Sequence, residues 1–259
     1  NAIVQQRCQL TKQPLLAYPL SRTFPIHFPR VDISVVTYNS SRWINEFVTS
    51  LLNLDYPKDL LTVRFVDNSS TDSTLADLYA IEPMLTINGY KVSIIKRPNH
   101  GYGAGHNSAL KLSTAPFCLV TNIDLTFEPD ALACIIAVAE ADNDQVAAWE
   151  MRQKPYEHPK YYDPVTGLTN WNSHACVLLR HSAIKKVGFY DDNLFMYGED
   201  VELSYRLRQA GFLLRYCPRA VVWHYSYEDI TKVKPLQYTG STFANLYLRL
   251  KYGNTCLLY

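Results

Sequence analysis

No two of the six cysteines form a C-x-x-C pair, so zinc-ribbon and dithiol redox chemistry have no support. Cys8, Cys118, Cys134, Cys176, Cys217 and Cys256 stand singly, several inside apolar runs where small core residues sit. That usage fits a reducing compartment, and the cytoplasm is the expected location. Long apolar runs are also missing. The longest, Ala131 to Ala139, falls far short of the ~20 residues a membrane-spanning helix needs. No secretory leader pattern is visible at the start. Any membrane contact is therefore expected to be peripheral, on the inner face of the plasma membrane. Charge of one sign is not in excess either. The net charge is +1, which gives no reason to expect a nucleic-acid partner. There are no repeats and no low-complexity segment.

What is present is a real core. The hydrophobic fraction is 47%, and 259 residues suffice for one large domain with appendages. Residues 1–29 are punctuated by Pro14, Pro19, Pro25 and Pro29 and read as an N-terminal extension. From Val31 onward, buried-strand patterns alternate with helical ones. Val31–Thr37, Leu61–Val66, Lys91–Lys96 and Phe117–Val120 are predicted strands, with helices between them. The first helix runs from Ser40 or Ser41 to about Leu54, with Trp43, Phe47, Leu51 and Leu54 on its core face. This rhythm predicts an α/β fold, a Rossmann-like, mostly parallel sheet covered on both faces.

The second half is less regular. Gln145–Met151 is a fifth strand, and residues 152–173 read as a loop over the crevice. Ala175–Arg180 is a strand and His181–Val187 a short helix. Gly198-Glu199-Asp200 opens a helix that Gly211 ends. FLLRY and AVVWH are two short strands, and Tyr238–Tyr252 is a final amphipathic helix.

Four polar clusters follow the carboxyl ends of the first four strands: Thr37/Tyr38/Asn39, Asp67/Asn68, Asn99 to Asn107, and Asn122/Asp124. Right-handed crossovers bring those ends to one edge, where open α/β sheets bind ligands. Asp124 suits a divalent cation held against a diphosphate, since phosphate oxygens and waters supply the remaining ligands; its plainer role is to begin a turn. Asp67 can accept a hydrogen bond from a base N–H or a ribose hydroxyl, or close an Asx-turn with Ser69 or Ser70. The loop holding Gly101, Gly103 and Gly105 opens a helix as a phosphate cradle would. It is not a dinucleotide fingerprint, because it follows the third strand and its spacing is wrong. Nor does it carry the Gly-Lys-Ser/Thr of a P-loop. Glu199 and Asp200 serve either as dipole compensation or as a general base. His224 serves as a strand-end structural residue or as a ligand to metal or phosphate. Lys232, Lys234, Arg249 and Lys251, beside the aromatics of the last helix, form a solvated face or touch a membrane surface.

Taken in order, VDISVVTYNS, FVDNSSTDST, NHGYGAGHN, TNIDLTFEPDAL and VGFYDDNLFMYGEDVELSYRLRQAG resemble the family-2 glycosyltransferases, inverting enzymes of the GT-A fold. Among them the chain looks most like bacterial rhamnosyltransferases that build surface polysaccharides. The resemblance implies a GT-A domain over 30–237, with a nucleotide-binding half (30–124), a smaller mixed acceptor-binding half (125–237) and a C-terminal helix over 238–259. It implies a nucleoside-diphosphate sugar donor, deoxythymidine-diphosphate rhamnose or a UDP-sugar, and a glycan or lipid-linked glycan acceptor. Thr37, Tyr38, Asn39, Asp67, Asn68, Asn99, Gly105, Asn107 and Asn122 would hold the donor. Asp124 and His224 would hold Mg²⁺ or Mn²⁺. Trp171, His174 and Glu199 would shape the sugar and acceptor pocket, and Asp200 would be the catalytic base. Asn122 replaces the first acid of the family's metal motif, His174 stands where a small residue is usual, and Glu202 replaces a common Asp. A sugar-nucleotidyltransferase and a non-catalytic nucleotide-sugar-binding domain are the alternatives. The first would carry a basic, glycine-rich loop after strand one, which TYNSSRW lacks.

Overall fold

A computed structural model describes residues 24–25, 27–225 and 235–253. Most of the N-terminal extension, Cys8, Cys256, Lys232 and Lys234 lie outside the described residues. Nine strands form one sheet: β1 (Val31–Thr37), β2 (Leu61–Asp67), β3 (Lys91–Lys96), β4 (Phe117–Thr121), β5 (Leu125–Phe127), β6 (Val146–Lys154), β7 (Leu168–Thr169), β8 (Cys176–Arg180) and β9 (Leu213–His224). The helices are α1 (Ser41–Leu52), α2 (Thr74–Ile87), α3 (Tyr102–Leu110), α4 (Ala131–Ala141), α5 (His181–Val187), α6 (Glu199–Gln209) and α7 (Pro235–Tyr252).

The spatial order is β3-β2-β1-β4-β8-β6-β9-β5, and β7 pairs with β9. β1 to β4 run parallel, as their buried runs and intervening helices require. β8 enters antiparallel beside β4, and β6 and β9 then run parallel to each other. Period-2 alternation divides the core. Ile33, Val35 and Leu119 face a cluster with Phe47, Phe65 and Trp149, while Cys118 and Val120 face Leu203 and Leu207 of α6. Edge-on aromatic contacts tie α1 to the sheet: Phe47 lies 6.3 Å from Phe65 and 5.9 Å from Phe127. At the start of the sheet, the Tyr56 hydroxyl donates to Pro29 O at 2.6 Å, so residues 27–30 pack on the domain.

Three expectations are corrected, and a short strand that no sequence pattern announces is added. Leu125–Phe127 forms β5, antiparallel to β9, and α4 begins at Ala131. FLLRY and AVVWH are one strand, not two. β9 is continuous, with a bulge where Met151 pairs with Cys217 and Arg152 with Val221. Pro218, which has no N–H to donate, lies in that bulge. β6 runs on through Lys154, so the start of the expected 152–173 loop is sheet. Finally, α7 begins at Pro235 rather than Tyr238. Gly211, at φ +86° just past α6, ends that helix as the sequence predicts.

Candidate active site

The crevice has two halves. The first is built on the carboxyl ends of β1, β2 and β3. Thr37 and Asp67 are register partners in parallel strands, and Thr37 Oγ1 donates to Asp67 Oδ1 at 3.2 Å. Asp67 also closes the Asx-turn: Ser70 N–H donates to its Oδ2 at 3.1 Å. Asn39, at φ +50°, accepts Thr71 N–H at 2.8 Å, which stitches the first two turns together. Tyr38 is exposed above them. Asn68 is buried, donating from Nδ2 to Gly101 O at 3.1 Å, while its Oδ1 has no protein partner.

The third cluster also fastens distant parts of the chain together. Asn99 Oδ1 accepts Gly101 N–H at 3.1 Å. A Cβ on Gly105 would lie 2.7 Å from Val36, so this glycine lets α3 sit against β1. Asn107 accepts Tyr190 N–H at 2.9 Å and donates to Tyr190 O and Asp192 Oδ1, each at 2.8 Å. The amide therefore anchors the 190–192 segment to α3. Tyr102 N–H donates to Phe195 O at 2.8 Å beside it. This joint delivers the distant Glu199–Asp200 pair to the crevice.

In the second half, pairing of Leu125 in β5 with His224 in β9 sets His224 beside Asp124. His224 Nε2 lies 3.3 Å from Asp124 Oδ1 and 3.2 Å from Asn122 Nδ2. Asp200 stands in the first turn of α6, where Val201 N–H donates to its Oδ1 at 2.8 Å. Burial raises the Asp200 pKa, against the opposing pull of Val201 N–H, Lys160 and His174 N–H. Burial, and then the neighbouring Asp200 charge, raise Glu199 well above the usual carboxylate range, and its Oε2 has no hydrogen-bond partner. Tyr102 joins the two halves. Its hydroxyl lies 2.6 Å from Asn122 Oδ1 and 2.9 Å from His174 O. Its own pKa is pushed well up by burial first, with Tyr190, Glu199, Asp124 and Asp200 adding to the effect.

His174 is buried, with Nδ1 2.6 Å from the Tyr190 hydroxyl, and burial pushes its pKa down to about 3. It is neutral and built into the wall. Trp171 lies farther out, with Lys160 4.8 Å from its ring centre and His158 5.9 Å away. Several residues in this site carried no assignment from sequence: Tyr102, Tyr190, Gln153, Lys160 and the buried Ser34–His106 pair at 2.7 Å. Tyr102 and Tyr190 lie inside quoted motifs and could have been flagged there; nothing in the sequence marks Gln153.

Residues 32–201, well over half of the chain, match the family model described as glycosyl transferase family 2. The chain belongs to that family. As a family-2 glycosyltransferase it is 27% identical over 246 residues to the probable glycosyltransferase YdaM of Bacillus subtilis, covering 86% of this chain and 57% of YdaM. It is 42% identical over 74 residues to the N-acetylglucosaminyl-diphospho-decaprenol L-rhamnosyltransferase of Mycobacterium tuberculosis, covering 29% of this chain and 21% of that protein. The chain thus spans little more than half, or less, of these curated relatives. Among solved structures it resembles the mannosyltransferase PcManGT of Pyrobaculum calidifontis, in complex with GDP-Man and Mn²⁺. The TM-score is 0.64 at 19% identity, over 96% of this chain and 77% of that one. The fold of this family member is GT-A, as the resemblance implied.

Among the described residues, no three or more His, Cys, Asp or Glu side chains gather into a metal-binding group. Asp124, just before β5, and His224, at the end of β9, supply one oxygen and one nitrogen. That set fits a divalent cation whose other ligands are diphosphate oxygens and waters. No helix among the described residues is long and apolar enough to cross a membrane.

The raised Glu199 pKa has a measurable consequence. A carboxyl whose pKa is higher folded than unfolded binds its proton more tightly in the native state. Its stabilising contribution is full below the unfolded value of about 4.3 and is lost as pH rises through the folded value. Glu199→Gln cannot titrate. Its melting temperature is expected to fall less than that of the wild type between pH 6 and 9, measured by calorimetry. Parallel curves would refute the assignment.

Proposed function

We propose that the chain moves a sugar, with rhamnose as the first candidate, from a nucleoside-diphosphate sugar to a hydroxyl of a glycan or lipid-linked glycan, inverting the anomeric centre. The observation that carries the reading is the meeting of Asp124–His224 and Asp200 around Tyr102, whose hydroxyl bonds Asn122 and the His174 carbonyl while the His174 N–H bonds Asp200. In this reading one acid faces the leaving group, and the other is a half-buried base on a different element. The bound GDP-Man and Mn²⁺ of PcManGT support a nucleotide-sugar donor and a divalent cation. The local match to the mycobacterial rhamnosyltransferase supports the choice of sugar and of a lipid-linked acceptor.

Asp124 and His224 would hold Mg²⁺ or Mn²⁺, which when bound stabilises negative charge on the departing diphosphate. Thr37, Tyr38 and Asp67 orient the nucleoside, with the unpartnered Asn68 Oδ1 as a further acceptor. Asp200 takes the proton of the acceptor hydroxyl as that oxygen attacks the anomeric carbon from the face opposite the diphosphate. The C–O bond to the diphosphate breaks as the new glycosidic bond forms, and no covalent enzyme intermediate is needed. His174 and Trp171 wall the acceptor side.

A thermal-shift screen of nucleotide sugars with Mn²⁺ tests this. At a hundredfold excess over Kd, a true donor adds about 2.7 kcal/mol of stability. Asp124→Ala is expected to abolish the Mn²⁺-dependent part of the shift. An unchanged shift in that variant, or no donor that shifts the wild type, would overturn the proposal.

A further inference from the structure

The side chain of His224 is held from behind. On the side away from Asp124, His224 Nδ1 lies 2.9 Å from Gln153 Oε1. Gln153 is 2% exposed, and an amide buried that deeply is costly unless both of its ends are bonded. Both are: Gln153 Nε2 donates to Ser173 Oγ at 3.1 Å. Ser173 is fixed in turn, because its N–H donates to Glu150 Oε2 at 2.7 Å. In this arrangement the amide presents its oxygen to the imidazole and its nitrogen to Ser173.

The strand register creates this contact. The β9 bulge skips residues 218–220, so Gln153 of β6 pairs with Val222. His224, two residues farther on, shares that face. Continued in the register of Met151 and Cys217, Gln153 would pair with Arg219 and face away from His224. Bulges re-aim side chains in this way next to active sites.

We propose that Gln153 is a positioning residue: it accepts Nδ1–H of His224, fixes that tautomer, and turns the Nε2 lone pair toward Asp124 as a ligand for the cation. The Asn122 amide nitrogen lies 3.2 Å from Nε2 and can donate to a lone pair there, while Asp124 Oδ1, 3.3 Å from the same atom, would leave that lone pair beside a carboxylate, an arrangement that a cation held by both relieves. An oxygen acceptor behind a metal-binding imidazole sets the tautomer and ring angle and raises ligand basicity. The proposal rests on the cation reading of the previous section, but the tautomer can be measured without any metal.

The experiment uses the full chain labelled with ¹⁵N-histidine and a two-bond ¹H–¹⁵N correlation spectrum, metal-free. The His224 signals are those missing from His224→Asn. The wild type is expected to show the Nδ1–H tautomer. Gln153→Met keeps the volume and removes the acceptor, so it should lose that tautomer. Its Mn²⁺ affinity in the presence of UDP, read from free Mn²⁺ by electron paramagnetic resonance, should fall roughly 10- to 100-fold. Gln153→Glu restores an acceptor and should recover the tautomer. An Nε2–H tautomer in the wild type, or an unchanged tautomer in Gln153→Met, would overturn the proposal. The wild-type spectrum decides even if a variant does not fold. If the expected tautomer is present but the wild type binds no Mn²⁺, the cation reading fails while the hold of Gln153 on the ring stands.

Discussion

Asp200→Asn is expected to lower sugar transfer by roughly 10²- to 10⁴-fold, the usual worth of a positioned general base. Donor affinity should change little. Asn is nearly isosteric, and its side-chain oxygen can still accept Val201 N–H, as Asp200 does at 2.8 Å. What it cannot do is take a proton. Burial raises the Asp200 pKa and so brings the carboxylate closer in basicity to its working pH, where a base is most effective. Glu199 beside it is raised as well, with its own burial the largest cause. Of the two acids, Asp200 is the one whose carboxylate accepts a backbone N–H, which favours its charged form, while Glu199 Oε2 has no hydrogen-bond partner. Glu199→Gln should accordingly cost less activity than Asp200→Asn. The check is steady-state release of nucleoside diphosphate with saturating donor, alongside calorimetric donor binding. A wild-type turnover in Asp200→Asn would remove the base assignment. A loss matched by an equal loss of folded protein would remove it as well.

The sheet was legible from sequence for a simple physical reason. Buried parallel strands read as continuous apolar runs, and VDISVVT and FCLVT are buried along their whole length. Their polar ends then had to converge. What sequence could not supply was pairing. β5 is three residues long, too short for any period to register, yet it is the strand that sets His224 beside Asp124. Gln153 lies among polar neighbours and reads as loop until β9 is seen to bulge beside it. Roles within the clusters were also invisible. Asn107 and Gly105 belong to the donor loop by position. In the fold, however, the Asn107 amide holds Tyr190 and Asp192, and Gly105 makes room for Val36. Asn, Gly and Asp serve turns and ligands with the same atoms, so only geometry separates the two uses.

Gly101→Ala should be among the most damaging single-methyl changes in the chain, because it strikes the joint between the two halves of the site. Gly101 sits at φ +102° and ψ 175°, a region closed to L side chains. A Cβ there would lie 2.1 Å from Phe195 O and 2.7 Å from Phe195 C and Cα. These are backbone atoms, so no rotamer change can relieve the clash. Nor can the segment easily retreat. Tyr102 N–H donates to Phe195 O, Asn68 holds Gly101 O, and Asn107 holds Tyr190 and Asp192 nearby. Backbone strain of about 1–3 kcal/mol and an overpacking cost of about 1–3 kcal/mol give an expected loss of about 2–6 kcal/mol. For a domain of this size that lowers the melting temperature by roughly 5–20 °C. Gly211→Ala is the control. Gly211 also has positive φ, at +86°, but nothing lies within 4 Å of an added Cβ. It should lose only the strain component. The two variants are compared by thermal unfolding and by transfer rate below both transitions. There Gly101→Ala should also be slower than wild type, since the joint sets Asp200 against Tyr102. Equal destabilisation of the two variants would show that the backbone joint at Phe195 does not constrain the site.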